Sequence, residues 1–397
     1  MLLYSSVHVL LAAICFFAIL TLWVPGRWPV AVFEIGIFAL ASVAVVRARR
    51  GPFPFSWPLI PLSLAVLWGL AQLFAGTTVY PFETRNATVQ WTACLAAFFV
   101  GLSVFRSAPA RRWFRSAMLW FGFLVAVVAT LQSLTAGGRI FWIFPTEYTD
   151  YVMGPILYRN HYAAFIEVVL PLALYEALRR ERSALLYSVA AAAMYASVIA
   201  SASRAGTILT TAEILAVPLL LWSRGRTDAH AVRSSILRLA VVVAFFAVVV
   251  GPEAVWTRFW APDPYSMRRE FAISSLHMIA AHPWFGSGLG TWPVAYPAYA
   301  IIDIGAFANQ AHSDWLQWAA EGGIPFALAI ATMFAWAVRP AFRSVWGIGV
   351  LAVSLHACVD YPFSRPALAA WPILLLSLLA STDSSPRKPS DAPPPPD

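Results

Sequence analysis

Three polar segments interrupt an otherwise apolar sequence, and each carries residues capable of phosphate or proton chemistry. They are GPILYRNHYAAF at 154–165, SASRAG at 201–206, and the stretch 265–326, which contains YSMRREF and AHSDW. Arginine presents a fixed fork of donors that suits phosphate, and it stays charged at any working pH. Histidine titrates near neutral pH and can accept or donate a proton. The segments therefore predict a site for a phosphate or diphosphate group beside a proton-transferring histidine.

Arg204 and His312 are the most informative single residues of these segments. Arg204 lies in a turn so tight that it joins two apolar runs almost directly, which places it near membrane depth. Ionisable residues at this depth usually mark a substrate path, because their burial is costly. His312 stands just before an apolar run, where it can act as a base or donate a hydrogen bond to phosphate. A salt bridge or a helix cap is the alternative role for Arg204 and for Arg268.

Other polar residues have structural explanations. Glu167 lies inside an apolar run and can pair with a basic residue, and Asp360 and Arg365 flank the turn DYPFSRP and can pair with each other. GSGLGT at 286–291 resembles a phosphate-binding loop, but no strand precedes it, so we interpret it as a turn. The sequence contains no HExxH, CxxC or acidic cluster that would predict a metal site.

The elements that must position these residues are apolar helices. The chain has 397 residues, of which 60% are hydrophobic and 12% charged, and its mean hydropathy is +0.69. Soluble chains carry roughly 25% charged residues, so this composition excludes a water-soluble fold. The net charge of +8 comes from short arginine clusters between apolar runs, which favours a role in membrane orientation over nucleic-acid binding.

Apolar runs of about 20 residues predict an all-α, polytopic membrane protein with about twelve transmembrane helices. The predicted spans are residues 4–24, 28–46, 57–76, 89–105, 116–136, 161–178, 184–202, 205–223, 236–252, 314–337, 345–360 and 366–381. A long loop at about 252–311 is expected to contain short helices. Residues 1–383 would form one integral membrane catalytic domain, and the Pro-rich residues 384–397 a disordered tail.

The distribution of arginine predicts the orientation in the membrane. Arginine clusters at residues 47–50, 106–115, 179–182 and 224–238 fall on every second loop, whereas the alternate loops carry scattered arginines. By the positive-inside rule, the loops with clusters face the cytoplasm. Both termini would then be cytoplasmic, and the three polar segments would lie on the periplasmic face of the inner membrane.

Two motifs in the third polar segment have a distinctive order and spacing. Arg268 is followed by LHMIAAHPWFGSGLGTW, and His312 opens HSDWLQ, which is followed by Glu321 and two glycines. These motifs resemble those of the O-antigen ligase and polymerase family of bacterial surface-polysaccharide membrane proteins. YRNHYAAF and SRAG match weaker patterns of the same family. The strong part of the resemblance covers roughly residues 200–345.

The resemblance implies a periplasmic glycosyltransferase. Family members take a glycan from an undecaprenyl-diphosphate carrier and transfer it to an acceptor sugar hydroxyl, with neither nucleotide nor metal. Ligases use the lipid A core as acceptor, polymerases use another lipid-linked repeat unit, and related members glycosylate protein. The family's functional positions correspond here to Arg204, Arg268 and His312. The two arginines would hold the diphosphate, and His312 would accept the hydroxyl proton or donate a hydrogen bond to the diphosphate.

A second group of residues is assigned to substrate binding. Its members are Arg159, His161, Arg269, Asp314 and Glu321. For His161 a structural role is the alternative. The aromatic residue that the family usually carries a few positions after the loop arginine is replaced by Ala272 and Ile273. Both Arg268 and Arg269 therefore remain candidates for the functional loop arginine.

The predicted function is O-antigen ligase-like glycosyl transfer to the lipid A core, with a polymerase of the same family as the alternative. The partners would be the carrier-linked glycan, the acceptor glycan and the bilayer, with no cofactor and no nucleic acid. A transporter of lipid-linked sugars would show internal repeats and interrupted helices, and the sequence shows neither. A non-catalytic scaffold would tolerate replacement of the loop residues.

Overall fold

The protein is helical throughout the residues that the structure describes. In a computed structural model these are residues 2–49, 51–146, 152–227, 267–303, 305 and 307–383, with parts of 229–241. The helices are α1 (Leu2–Leu20), α2 (Trp28–Ala48), α3 (Leu59–Ala75), α4 (Pro81–Val104), α5 (Ala108–Thr135), α6 (Arg159–Arg179), α7 (Ala184–Ala200), α8 (Arg204–Trp222), α9 (Arg268–Ala281), α10 (Asp314–Arg343), α11 (Gly349–His356) and α12 (Pro366–Asp383). The predicted all-α class is confirmed for this part of the chain.

Six of the described helices, α2, α4, α5, α6, α8 and α10, are long and apolar enough to cross a membrane. Five shorter apolar helices accompany them, and each predicted span except 236–252 coincides with one of these helices. Most of the span 236–252, the start of the long loop at 252–266 and the tail 384–397 lie outside the described residues. The chain is a multi-pass membrane protein, and the number twelve stays a prediction.

The start of α4 differs from its prediction. Its apolar run begins at residue 89, but the helix begins at Pro81. The added turns contain Thr84 and Thr88, which are buried, and Thr88 Oγ1 donates to the carbonyl of Thr84 at 2.6 Å. A hydroxyl that bonds to its own helix can be buried at little cost, so hydropathy alone placed this boundary too late.

The central helix of the fold is α6, which packs against α5, α7, α8 and α11. Small residues allow the close approach, since a Cβ on Gly349 would lie 2.4 Å from the carbonyl oxygen of Glu167. The Glu167 side chain is fully buried and contacts His356 Nδ1 at 2.7 Å. The basic partner that the sequence predicted for Glu167 is therefore His356 on α11.

The helix order brings several helix ends to one end of the bundle. The turn between α7 and α8 spans only residues 201–203, so α6 and α8 run in the same direction and begin at the same end. The first residue of α10, Asp314, donates its N–H to the carbonyl of Asp360 at 3.0 Å. The starts of α6, α8, α9 and α10 are thus available to build one site.

Candidate functional site

The loop after α9 is fixed by glycines at positive φ. Gly286, Gly288 and Gly290 have φ angles of +65°, +114° and +76°, which residues with a Cβ rarely adopt. A Cβ on Gly286 would lie 2.3 Å from the carbonyl carbon of Glu321, and one on Gly288 would lie 2.2 Å from Thr78 Oγ1. The GSGLGT motif is therefore a turn packed tightly against α10 and the start of α4.

Two buried side chains hold this glycine turn by its backbone. Gln72 of α3 accepts the N–H of Leu289 at 2.9 Å and donates to the carbonyl of Glu321 at 2.9 Å. The Glu321 carboxylate accepts the N–H groups of Gly290 at 2.8 Å and Trp292 at 3.1 Å. Glu321 was predicted to bind substrate, but its oxygens are occupied by the turn. Contact of Glu321 with substrate therefore stays a prediction.

Substitution of Gly286 tests this packing. We expect Gly286→Ala to lower the free energy of unfolding by about 2–4 kcal/mol, because a left-handed backbone and a clash with α10 act together. Gly76 is the matched control, since its φ of +64° is similar and nothing lies within 4 Å of an added Cβ. Gly76→Ala should cost only about 1 kcal/mol. Thermal unfolding in detergent would compare the two, and equal losses would contradict the tight packing.

Asp360 is the hub of a polar cluster at the end where α6, α8, α9 and α10 begin. Its buried carboxylate lies in the turn after α11. Oδ2 accepts hydrogen bonds from Tyr158 Oη at 3.2 Å, from Arg268 Nη2 at 3.2 Å and from Asn160 Nδ2. Oδ1 accepts the N–H of Tyr361 at 2.9 Å. A buried carboxylate needs donors of this kind, so the hub draws three distant segments together.

The structure distinguishes between the two loop arginines. Arg268 opens α9, and besides Asp360 its Nη2 donates to Tyr158 Oη at 3.3 Å. Its side chain remains 30% exposed, so part of the guanidinium is accessible to a ligand. Arg269 is exposed, and so is Arg365. The proposed pairing of Asp360 with Arg365 is thus corrected, because Asp360 pairs with Arg268.

His312 lies against the same cluster. Its φ of +54° turns the ring onto Phe271, with centroids 5.7 Å apart and planes within 4°. Its Nδ1 is buried and has no hydrogen-bond partner among the described residues. Burial lowers the pKa of His312 below its usual value, an effect that Asp360 opposes and Arg268 reinforces. The imidazole is therefore neutral near pH 7 and able to accept a proton.

The SASRAG turn is joined to the hub through Ser203. Ser203 caps α8, since its Oγ accepts the N–H of Gly206 at 3.2 Å. The same Oγ donates to Asn160 Oδ1 at 2.8 Å, and Asn160 donates to Asp360. Arg204 follows Ser203 directly as the first residue of α8 and is partly buried. The hydrogen bonds therefore fix the backbone that carries Arg204 beside the cluster.

Asp314 supports the hub from the start of α10. Its carboxylate accepts the N–H of Phe363 at 2.8 Å and the hydroxyl of Ser364 at 2.9 Å, and the residue is fully buried. Asp314 was predicted to contact substrate, but both oxygens hold the turn that follows Asp360. Contact of Asp314 with substrate, like that of Glu321, stays a prediction.

The other two candidate substrate contacts lie at the start of α6. His161 is buried between the rings of Tyr158 and Tyr361, and its Nε2 lies 3.9 Å from Asp360 Oδ1. Arg159 is half-buried and adjoins both Tyr158 and Asn160 in sequence. His161 thus packs within the cluster, and contact of either residue with a substrate stays a prediction.

Comparison with known families now bears on this cluster. Residues 189–331 match the family model described as O-antigen ligase. Over this segment the chain is similar to the O-antigen ligase family. The match confirms the family resemblance found in the sequence, and the family implies a membrane enzyme of the glycosyltransferase type. No curated protein matches the chain.

The O-antigen ligase segment contains only half of the cluster. Inside it lie the three predicted catalytic residues, Arg204, Arg268 and His312. Outside it lie the residues that hold them, Tyr158, Asn160 and Asp360. The motif YRNHY and the turn DYPFSRP are both recognisable in the sequence, but their contact was not predicted. The available signal was that polar residues stand at the ends of apolar runs on the same predicted face.

The chemistry available to this cluster is electrostatic and proton-transferring. The cluster offers a partly exposed guanidinium, a neutral imidazole and a tyrosine hydroxyl whose pKa is raised by burial and by Asp360. In the part of the chain that the structure describes, no group of three or more His, Cys, Asp or Glu residues could hold a metal ion.

Proposed function

We propose that the chain moves a glycan from undecaprenyl diphosphate to an acceptor sugar hydroxyl, with the lipid A core as the acceptor. The observation that carries this proposal is the Asp360 cluster, which places Arg268 and His312 together beside the Arg204 turn in a chain with an O-antigen ligase segment. A cationic group beside a neutral base is what transfer from a diphosphate carrier requires.

The arginines act on the leaving group in this mechanism. The bond between the anomeric carbon and the diphosphate oxygen breaks, and its electron pair stays on the diphosphate. Arg268 and Arg204 donate to the phosphate oxygens and stabilise the charge that develops there. Asp360 holds Arg268 in place through the 3.2 Å ion pair, so the guanidinium is oriented before the carrier binds.

His312 acts on the acceptor. The acceptor oxygen forms the new bond to the anomeric carbon, and its proton passes to the imidazole of His312. The stacked ring of Phe271 and the edge contact with Tyr361 at 5.0 Å hold the imidazole in a single orientation. A base that is neutral at working pH and fixed in direction suits this step.

We propose that the site faces the periplasm and that both termini are cytoplasmic. The support is the alternation of arginine clusters in the sequence, because the cluster-bearing ends of α2 and α6 lie away from the end that carries the site. The carrier diphosphate would then be bound at the outer leaflet of the inner membrane.

Removal of the imidazole tests the base. We expect His312→Ala to reduce transfer by about 10²- to 10⁴-fold, whereas His277→Ala, an exposed histidine on α9, should leave it unchanged. The pH dependence of transfer is a second test of the base. Since the pKa of His312 is lowered, the wild-type transfer rate should fall only at pH values below the usual histidine pKa of about 6.5. Arg268 contributes to that lowering, so Arg268→Ala should raise the pH below which the transfer rate falls. Wild-type transfer by a folded His312→Ala variant would show that His312 is not the base.

A deletion strain separates the acceptors. Lipopolysaccharide from cells without the gene should show core lacking O-chain, with polymer accumulated on the lipid carrier. Core bearing a single repeat unit would instead identify a polymerase of the same family. A normal lipopolysaccharide ladder in the deletion strain would show that the acceptor is another polysaccharide or a protein. The His312 and Arg268 variants would then be assayed on that product.

A further inference from the structure

A short apolar loop, residues 140–144 with the sequence IFWIF, follows α5. Two hydrogen bonds close it, since the N–H of Ile140 donates to the carbonyl of Phe144 at 2.8 Å and the N–H of Phe144 donates to the carbonyl of Ile140 at 3.0 Å. Between them, Phe141 and Trp142 have φ angles of +51° and +62°, which residues with a Cβ rarely adopt. Strain of this kind persists only where the surrounding structure imposes it, and it often marks a functional segment.

Polar side chains of α5 hold the apolar loop in place. The buried Gln132 accepts the N–H of Phe141 on its Oε1 at 2.7 Å, and Thr135 Oγ1 accepts the indole N–H of Trp142 at 2.8 Å. The first residue of the loop, Ile140, is itself buried. The loop is therefore fixed relative to α5, and its remaining side chains are held in one direction.

The side chains that the apolar loop presents outwards are large and hydrophobic. Trp142, Ile143 and Phe144 are 41%, 68% and 42% exposed. The Phe144 ring lies 4.6 Å from the ring of Trp23, in the segment after α1, so the exposed surface extends towards that helix. A contiguous apolar surface of this kind is unfavourable in water and marks a contact with another apolar phase or partner.

The apolar loop continues a surface that already faces lipid. The helix α5 is long and apolar enough to cross a membrane, and Leu124, Leu131 and Leu134 on one side of it are all more than half exposed. Exposed leucines on a membrane-spanning helix contact acyl chains. The loop prolongs this side beyond the last turn, and it brings a tryptophan and the exposed Arg139, the residue types that are typical of the lipid interface.

We propose that the apolar loop inserts into the interfacial layer of the bilayer, with Ile143 and Phe144 against the outer parts of the acyl chains. Trp142 and Arg139 then lie at the level of the phospholipid headgroups. Hydropathy ended the predicted span at residue 136, because the two glycines and Arg139 that follow lower the mean. The contact with lipid extends past that boundary.

Insertion of the apolar loop sets the height of the Asp360 cluster relative to the membrane surface. Gln132 Nε2 donates to the carbonyl of Gly154 at 3.1 Å, so the side chain that holds the loop also holds the segment leading to Tyr158. Tyr158 donates to Asp360. This consequence rests on the proposed function only in that the carrier diphosphate would lie in the same headgroup layer, and insertion itself can be measured without any transfer assay.

Site-directed spin labelling of the full chain in phospholipid vesicles tests the insertion. The variant Ile143→Cys would carry a nitroxide in a Cys358→Ser background, because Cys358 is exposed whereas Cys15 and Cys94 are buried. We expect the label to collide more often with oxygen than with a water-soluble nickel chelate, and to report a depth of about 5–10 Å, the usual depth of interfacial apolar segments. Leu134→Cys is the reference for a lipid-facing site and Asp303→Cys the reference for an exposed polar site.

Each pattern of collisions decides the proposal. A label at residue 143 that behaves like the one at residue 134 supports insertion. Collision with the nickel chelate as frequent as at residue 303 would place the loop in water and overturn it. Few collisions with either reagent would show that protein covers the loop, which also overturns it. Unfolding temperatures confirm that the labelled variants are folded, and Phe144→Cys, for which we expect the same pattern, carries the test if Ile143→Cys does not fold.

Discussion

Replacement of Arg268 by alanine should reduce glycan transfer by about 10²- to 10³-fold, the usual effect of removing a group that stabilises charge in the transition state. The structural reason is that this guanidinium is held at 3.2 Å from Asp360 while 30% of the side chain stays exposed to a ligand. The measurement is transfer of carrier-linked glycan to core by purified protein in liposomes, at saturating acceptor.

The neighbouring residue provides the control for this experiment. Arg269 has the same charge and lies in the same helix turn, but it is exposed and stands outside the cluster. We expect Arg269→Ala to change transfer by less than about threefold, a surface charge effect. A large loss in Arg269→Ala together with near-normal transfer in Arg268→Ala would reverse the assignment of the loop arginine.

Replacement of Asp360 by asparagine should affect both stability and activity. The substitution removes the negative charge that holds Arg268, Tyr158 and Asn160. Loss of a fully buried ion pair costs about 3–5 kcal/mol, and because Arg268 is partly exposed we expect about 1–3 kcal/mol here. Transfer should fall by about 10- to 100-fold, since Arg268 loses its orientation.

Asp303 is the matched control for Asp360. It is exposed and accepts only a local hydrogen bond, from the N–H of Gly305 at 2.9 Å. Asp303→Asn should leave the unfolding temperature and the transfer rate within experimental scatter. If Asp360→Asn kept wild-type transfer, then Arg268 would be positioned without the hub, and the cluster would have no part in the mechanism.

The fold was largely predictable because a membrane imposes a simple rule on the sequence. Apolar runs long enough to span the bilayer mark helices, and the turn between α7 and α8 was visible as three residues between two such runs. The rule failed at the start of α4, where buried threonines extend a helix beyond its apolar run. Hydropathy does not register a hydroxyl that bonds to its own backbone.

The site was predictable in its residue types but not in its pairing. The position near membrane depth pointed to Arg204, and the family resemblance pointed to Arg204, Arg268 and His312 together. The partner of Arg268 could not be predicted from the sequence, because Asp360 lies 92 residues further along the chain. The other two donors to Asp360, Tyr158 and Asn160, lie 202 and 200 residues before Asp360. The hydrogen bonds of Asp314 and Glu321 were not predictable from the sequence either. The two residues stand close to His312 in sequence, but burial turns their carboxylates towards backbone N–H groups.

The division of the cluster across the boundary of residues 189–331 matters for anyone who wishes to recombine such enzymes. A chimera that exchanged this segment alone would set a foreign Arg268 against a native Asp360 and a foreign Ser203 against a native Asn160. The contacts of the Asp360 cluster come from three pieces of chain. These are the start of α6, the matched segment and the turn after α11. An intact cluster would be transplanted only by moving these pieces together, and the same three pieces are where compensating substitutions between relatives should be sought.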